Sequence, residues 1–200
     1  MDAPDFSLWV VHTWYRAILL FLSESCEEKD YPPFKGKISI IVPVYNEKGA
    51  MILGVVESLL LATKKINAEI IFADDGSKED IRNLFSALPE YKREKIKFLR
   101  FEHKGKRHTQ KSALSYATGD IIITIDSDIL MEEDAIYNLI KPFNDSKIGA
   151  TTGQVKVLNE EDNLLTKATS TMYWNAFNVA RQSLSSFGIV NICSGALSAY

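Results

Sequence analysis

Cysteine is nearly absent from this sequence: Cys26 and Cys193 are the only two in 200 residues, and they lie far apart. That excludes a disulfide-stapled scaffold and any zinc or redox spacing built on paired cysteines, and makes a reducing compartment the default. No apolar run reaches the about 20 residues that a helix needs to cross a bilayer. The nearest, Leu8 to Leu22, is broken by His12 and Arg16. It also lacks the basic start and small-residue cleavage site of a secretory signal. Trp9, Trp14 and Tyr15 favour an interface, so the stretch reads as an amphipathic helix, packed on its own domain or lying at a membrane surface. An excess of positive charge is missing too. With 23 Lys and Arg against 26 Asp and Glu, the formal net charge is −3, which gives no general attraction to nucleic acid. There is no internal repeat and no low-complexity tract.

What is present is ordinary globular material, 46% apolar and 24% charged, in a length that suits one α/β domain with a full core. Residues 1–36 read as the N-terminal amphipathic helix and a polar linker, Glu24 to Gly36, that contains Pro32 and Pro33. The main domain then runs from 37 to 200. Strands are expected at Ile38 to Val44, Glu69 to Ala73, Ile96 to Phe101 and Ile121 to Ile125. Helices are expected at Gly49 to Thr63, where Ile52, Val55, Val56, Leu59 and Leu60 recur at helical spacing, and at Arg107 to Ala117. Ser77 and Asp80 read as a capping box that opens a helix to Leu88. This alternation predicts a parallel sheet flanked by helices. Beyond Ile148 the pattern changes. A strand region is expected over Ala150 to Leu158, bent at Gly153. A long helix opened by Asp162 follows, with Leu165, Ala168, Met172, Ala176 and Val179 as a core stripe, and the chain ends in a strand-like segment from Asn191 to Tyr200.

The chemistry gathers at strand ends. Ile121 to Ile125 is a nearly continuous β-branched run, as in a strand buried on both faces, and it stops at Asp126, Ser127 and Asp128. Two carboxylates one residue apart repel unless a cation sits beside them, and hard oxygen ligands suit Mg²⁺ or Mn²⁺, which in turn hold a diphosphate. The same residues also suit a helix-capping loop. Tyr45, Asn46 and Glu47 follow the first strand, and Asp74 and Asp75 end the second. In a parallel sheet these loops share the edge where α/β sheets bind ligands. A tyrosine there can stack on a base, and a carboxylate can accept from a base N–H or a ribose hydroxyl. Lys106 and Arg107 supply cationic donors; a solvated basic face formed with Lys104 and Lys111 is the alternative.

Three ordered motifs, Ile41 to Glu47, Asp74 to Ser77 and Asp126 to Asp128, resemble those of family 2 inverting glycosyltransferases with the GT-A fold. Gly105 to Arg107, Thr152 to Val155, Tyr173 to Val179 and Cys193 to Gly195 are similar to the hyaluronan synthase and chitin-oligosaccharide synthase subgroup. The resemblance implies an α/β GT-A fold with a mostly parallel nucleotide-binding sheet. It implies a UDP-sugar donor, UDP-GlcNAc or UDP-GlcA, an oligosaccharide acceptor, and Mn²⁺ or Mg²⁺ as cofactor. Tyr45 and Asp75, with Asp74, would bind the uracil, and Glu47 would lie near the nucleoside. Lys106 and Arg107 would line the nucleotide pocket, Asp126 would touch ribose or sugar, and Asp128 would ligate the metal. Cys193, Ser194 and Gly195 would sit near the acceptor or donor sugar, Cys193 as a neighbour rather than a nucleophile or else as a buried structural thiol.

The sequence departs from that family in one respect. The family's general base and its channel helices belong to motifs downstream of the Ser-Gly segment, so the chain is expected to be the N-terminal part of a catalytic domain without its base. The intact protein would act at the cytoplasmic face of a membrane. The alternatives are a chitin-type N-acetylglucosaminyltransferase and a UDP-sugar-binding module without turnover. A phosphoacceptor domain also places acids at strand ends, but it needs a lone acceptor Asp and a late Lys, which this pattern does not offer.

Overall fold

The computed structural model describes residues 29–185, 187–188 and 192–200, together with 14, 15, 17, 18 and 21. Trp14, Tyr15, Ala17, Ile18 and Phe21 are helical and exposed; the rest of the expected helix at Leu8 to Leu22, and Cys26, lie outside the described residues. The chain divides into two compact units, one formed by 31–153 with 193–200 and the other by 1–30 with 154–192.

The first unit is built on a six-stranded sheet in the order β3-β2-β1-β4-β6-β5. Its strands are β1 (Ile38–Val44), β2 (Ala68–Asp74), β3 (Ile96–Arg100), β4 (Ile121–Ile125), β5 (Thr151–Thr152) and β6 (Leu197–Ala199). β1, β2, β3 and β4 run parallel, with Ile38 opposite both Ala68 and Ile121. Every residue of β1 and β2 is buried, which explains their largely apolar runs, since a central parallel strand is covered on both faces. The buried exceptions, Ser39 and Glu69, hydrogen-bond each other at 2.6 Å. One face, with Ile40, Val42, Ile70, Phe72 and Ile123, packs on α1 (Gly49–Ala62), on Phe85 of α2 (Arg82–Ser86) and on Ile136 of α5 (Ala135–Ile140). The other, with Ile41, Ile71 and Ala73, packs on Ala113 of α4 (Lys106–Leu114). A short helix, α3 (Glu90–Arg93), precedes β3. Each fully buried Ile contributes about 1.5–3 kcal/mol of transfer free energy. The result is a rigid platform whose parallel strands all end at one edge.

Several expectations needed revision. Ser77 and Asp80 do not form a capping box; the helix starts later, at Arg82, whose N–H donates to Asp80 Oδ1 at 2.9 Å. Ser77 instead turns inward and donates to Asp74 Oδ1 at 2.5 Å. The sheet is mostly parallel, as expected, with β6 alone antiparallel, between β4 and β5. Of the strand region at Ala150 to Leu158 only Thr151 and Thr152 pair, since β6 is itself only three residues long and offers no longer partner.

In the second unit α6 (Leu164–Trp174) is opened by Asn163 rather than Asp162. Asn163 Oδ1 accepts from Leu165 N–H and Thr166 N–H, and Thr166 Oγ1 accepts from Asn163 N–H. The helix widens into a π-helical stretch over Asn175–Arg181 before α7 (Gln182–Ser185). The expected core stripe fails at all but its last position: Leu165 and Met172 are 76% and 72% exposed, Ala168 and Ala176 are exposed too, and Val179 is buried. A π turn holds more residues than an α turn, so positions on either side of Asn175 no longer share one face.

Candidate nucleotide-sugar site

Four loops follow the parallel strands, and hydrogen bonds tie them together. After β1, Asn46 takes a left-handed conformation (φ 54°) that asparagine tolerates better than most residues. Its N–H donates to Ser77 Oγ at 2.9 Å, and its Oδ1 accepts from Lys78 N–H at 2.9 Å. Tyr45, beside it, is 44% exposed. After β2, Asp74 is fully buried: Oδ1 takes the Ser77 N–H and hydroxyl, and Oδ2 faces Arg100 at 3.5 Å. Expected at the base pocket, Asp74 instead braces the loop from beneath.

Asp75 is buried as well, and its two oxygens are engaged four times. Oδ1 accepts from Lys104 N–H at 3.0 Å and from the Thr109 hydroxyl at 2.7 Å; Oδ2 accepts from Gly105 N–H at 3.0 Å and lies 2.9 Å from His103 Nδ1. Burial alone would raise its pKa, but the hydrogen bonds from Thr109 and Lys104, the neighbouring His103 and the Gly105 N–H outweigh it and hold the carboxyl below the usual range. Asp75 thus pins the 103–109 loop that carries Lys106 and Arg107. Gly76 (φ 70°) makes this approach possible: a Cβ there would stand 2.9 Å from the His103 backbone nitrogen.

The fourth loop carries the acidic pair. Asp126 accepts an ion-paired hydrogen bond from Lys106 Nζ. Its N–H donates to Ala196 O at 3.2 Å, because β6 pairs with β4. That pairing brings the Cys193, Ser194 and Gly195 segment to the same edge, where Lys106 Nζ stands 3.9 Å from the position of a Cβ on Gly195. Ser194 O accepts from Ser198 Oγ at 2.6 Å, and Cys193 is a half-buried free thiol. Ser127 Oγ reaches Glu47 Oε1 at 3.4 Å, linking the first and fourth loops. Asp128 and Arg107 are exposed, and their side chains make no hydrogen bond or ion pair among the described residues.

This edge brings together Tyr45 and Asp75, the cations Lys106 and Arg107, and the acids Asp126 and Asp128. No cluster of three His, Cys, Asp or Glu exists among the described residues, so a protein-only metal cage is not what this edge offers. One free exposed carboxylate fits a divalent ion of the Mg²⁺ type, which is held by one or two carboxylates together with phosphate oxygens. Sequence reasoning brought Tyr45, Glu47, Asp75, Lys106, Asp126 and Gly195 to this edge. It missed His103 and Thr109, both reachable only through their spatial contact with Asp75.

A mostly parallel sheet with loops of this kind defines the class of GT-A glycosyltransferase folds, and a comparison of structures agrees. The chain matches a mannosyltransferase from Pyrobaculum calidifontis, solved with GDP-Man and Mn²⁺, with a TM-score of 0.73 over 98% of this chain and 54% of that one; at 22% identity the match shows the fold. The model of glycosyl transferase family 2 matches residues 39–200, and the chain belongs to that family. Among its relatives, hyaluronan synthase of Streptococcus pyogenes is 35% identical over 182 residues, which is 85% of this chain and 43% of that protein. An N-acetylglucosaminyltransferase of Azorhizobium caulinodans is 30% identical over 176 residues, 86% of this chain and 44% of that protein. The chain therefore spans less than half the length of these relatives.

Proposed function

We propose that this protein binds a UDP-sugar, UDP-GlcNAc or UDP-GlcA, and forms the donor half of an inverting, metal-dependent transferase that extends an oligosaccharide during polysaccharide synthesis at the cytoplasmic face of a membrane. The observation that carries this reading is the edge where Asp126, paired with Lys106, and the unpaired Asp128 stand beside the Tyr45 and Asp75 loops. The names of the relatives, hyaluronan synthase and N-acetylglucosaminyltransferase, support the choice of sugars.

Asp128 would hold Mn²⁺ or Mg²⁺; when bound, the ion neutralises the diphosphate leaving group. Lys106 and Arg107 present donors to the same phosphates, and their positive charge favours departure of UDP over the ground state. Asp126, held by Lys106, is placed to accept from ribose or sugar hydroxyls. Glu47 orients Ser127 between the two acids. Gly195 leaves room for the sugar beside Lys106. A base that deprotonates the acceptor hydroxyl completes a single displacement with inversion; the family resemblance assigns it to a motif downstream of Ser194 and Gly195. A chitin-type transfer of N-acetylglucosamine uses the same edge. The commitment of Asp74, Asp75 and Asp126 to protein partners favours a binding module in any chain that lacks that base.

Titration of UDP and CDP into the protein with Mn²⁺ tests the reading. UDP is expected to bind at least roughly tenfold more tightly, because cytosine lacks the ring N3–H that would donate to Asp75 and leaves that lone pair unpaired. Equal affinity for both would refute it.

A further inference from the structure

The base end of the site is already filled by a side chain of the protein. His103 stacks on Tyr45 with ring centroids 4.2 Å apart and planes 14° from parallel. The same imidazole places Nδ1 2.9 Å from Asp75 Oδ2 and 3.0 Å from Asp75 O. Both of those partners are acceptors, so Nδ1 carries the proton and donates. Stacking on the tyrosine and donating an N–H to the buried carboxylate are the two contacts that a uracil would make there. A ring 4.2 Å from Tyr45 leaves no gap for a base on that face.

Two features fix the imidazole in place, and a third lets it leave. Gly76, having no side chain, lets the His103 backbone approach. Asp75 clamps the neighbouring Lys104 and Gly105 N–H groups. The side chain itself is half exposed, so it can swing outward without breaking the core.

We propose that His103 is a built-in surrogate for the nucleobase: it occupies the base slot, and donor binding proceeds by its expulsion. This rests on the nucleotide-site reading above. The slot then favours a base that replaces both contacts at once, a planar ring with an N–H aimed at Asp75 Oδ2. A base that stacks but offers no such N–H regains only half of what the imidazole gives up. His103 itself lowers the affinity of every nucleotide by the same factor, while Asp75 makes the choice between bases. Its departure also frees one lone pair on Asp75 while the bonds from Lys104, Gly105 and Thr109 stay in place. The loop bearing Lys106 and Arg107 therefore keeps its position when the donor arrives.

The test is a titration of UDP and CDP with Mn²⁺ into the 200-residue protein and its His103→Ala variant, joined to NMR of the histidine ring protons. Only molecules with the slot vacated bind, so removing the imidazole is expected to tighten UDP and CDP alike by roughly tenfold and to leave the preference for UDP over CDP unchanged. In the wild type, the His103 ring protons, assigned by their loss in the variant among three histidines, are expected to move toward unstacked positions as UDP saturates the site. His103 resonances unmoved by saturating UDP, or a variant that binds UDP as well as or less well than the wild type, would overturn the surrogate role while leaving the nucleotide site standing. No UDP binding by either protein would overturn the site reading, and the surrogate with it.

Discussion

Replacing Asp75 with Asn is the substitution whose cost the structure specifies most closely. The side chain keeps its size, but one oxygen becomes an NH₂ facing donors. In the better orientation the amide oxygen still accepts from Lys104 N–H and the Thr109 hydroxyl, and the NH₂ then points at Gly105 N–H and His103. His103 can respond by shifting its proton; the Gly105 N–H cannot. One buried hydrogen bond to a charged acceptor is lost, at about 1.5–3 kcal/mol, and two others weaken from charge-assisted to neutral. Burying an amide rather than a carboxylate recovers part of this, leaving a net destabilisation of about 2–3 kcal/mol by these same scales. The pH dependence has a definite sign. The pKa of Asp75 is depressed in the folded state, so its contribution is complete above the ordinary aspartate range and disappears as pH falls through the folded value. Urea denaturation at neutral pH and in acid reads both effects. The gap between wild type and Asp75→Asn should be largest near neutrality and close in acid. A variant within about 0.5 kcal/mol of the wild type at neutral pH, the spread of ordinary surface substitutions, would refute the clamp.

Two further outcomes are expected. Glu69→Gln should destabilise the protein by about 2–3 kcal/mol at neutral pH and flatten the acid limb, as read by thermal unfolding against pH. Burial raises this carboxyl, but hydrogen bonds from Lys97, Ser39 and Thr118 override it and hold its pKa down to about 2 from 4.5, so its stabilisation is complete above the ordinary glutamate range and lost as pH falls toward 2; an unchanged acid limb would contradict this. Incubated with UDP-GlcNAc, UDP-GlcA and Mn²⁺, the 200-residue chain should yield no polymer on a sizing gel, because Asp74, Asp75 and Asp126 are committed to protein partners. A size-resolved polysaccharide would show that another residue here serves as the base.

The parts of the fold legible in the sequence are those where burial is two-sided. Ile38–Val44 is legible to the residue because a central parallel strand covered on both faces needs a nearly continuous apolar run, and Ile121–Ile125 is legible for the same composition although its Ile122 and Thr124 face is only half-buried. Short or one-sided elements carried less signal: β5 and β6 are two and three residues long, and their antiparallel pairing depends on each other rather than on local pattern. The long helix misled because its π-helical stretch breaks the period that a stripe assumes. At the site, the acids and cations stood out as charges at strand ends. Their occupancy did not. That Asp75 is saturated, that Lys106 pairs with Asp126, and that His103 lies on Tyr45 are consequences of loops converging from four strands, and no residue type or spacing encodes them.

The central claim is that this edge binds a UDP group through a metal held at Asp128, and calorimetric titration of UDP into wild type and Asp128→Asn, each with Mn²⁺ and with EDTA, tests it most directly. Asp128 is exposed and unpaired among the described residues, so the substitution leaves the fold intact and changes only the ligand offered to the ion. The account predicts that UDP affinity falls at least roughly tenfold on adding EDTA to the wild type, that Asp128→Asn with Mn²⁺ falls by as much, and that EDTA does little more to the variant. Equal UDP affinity in all four titrations would contradict it.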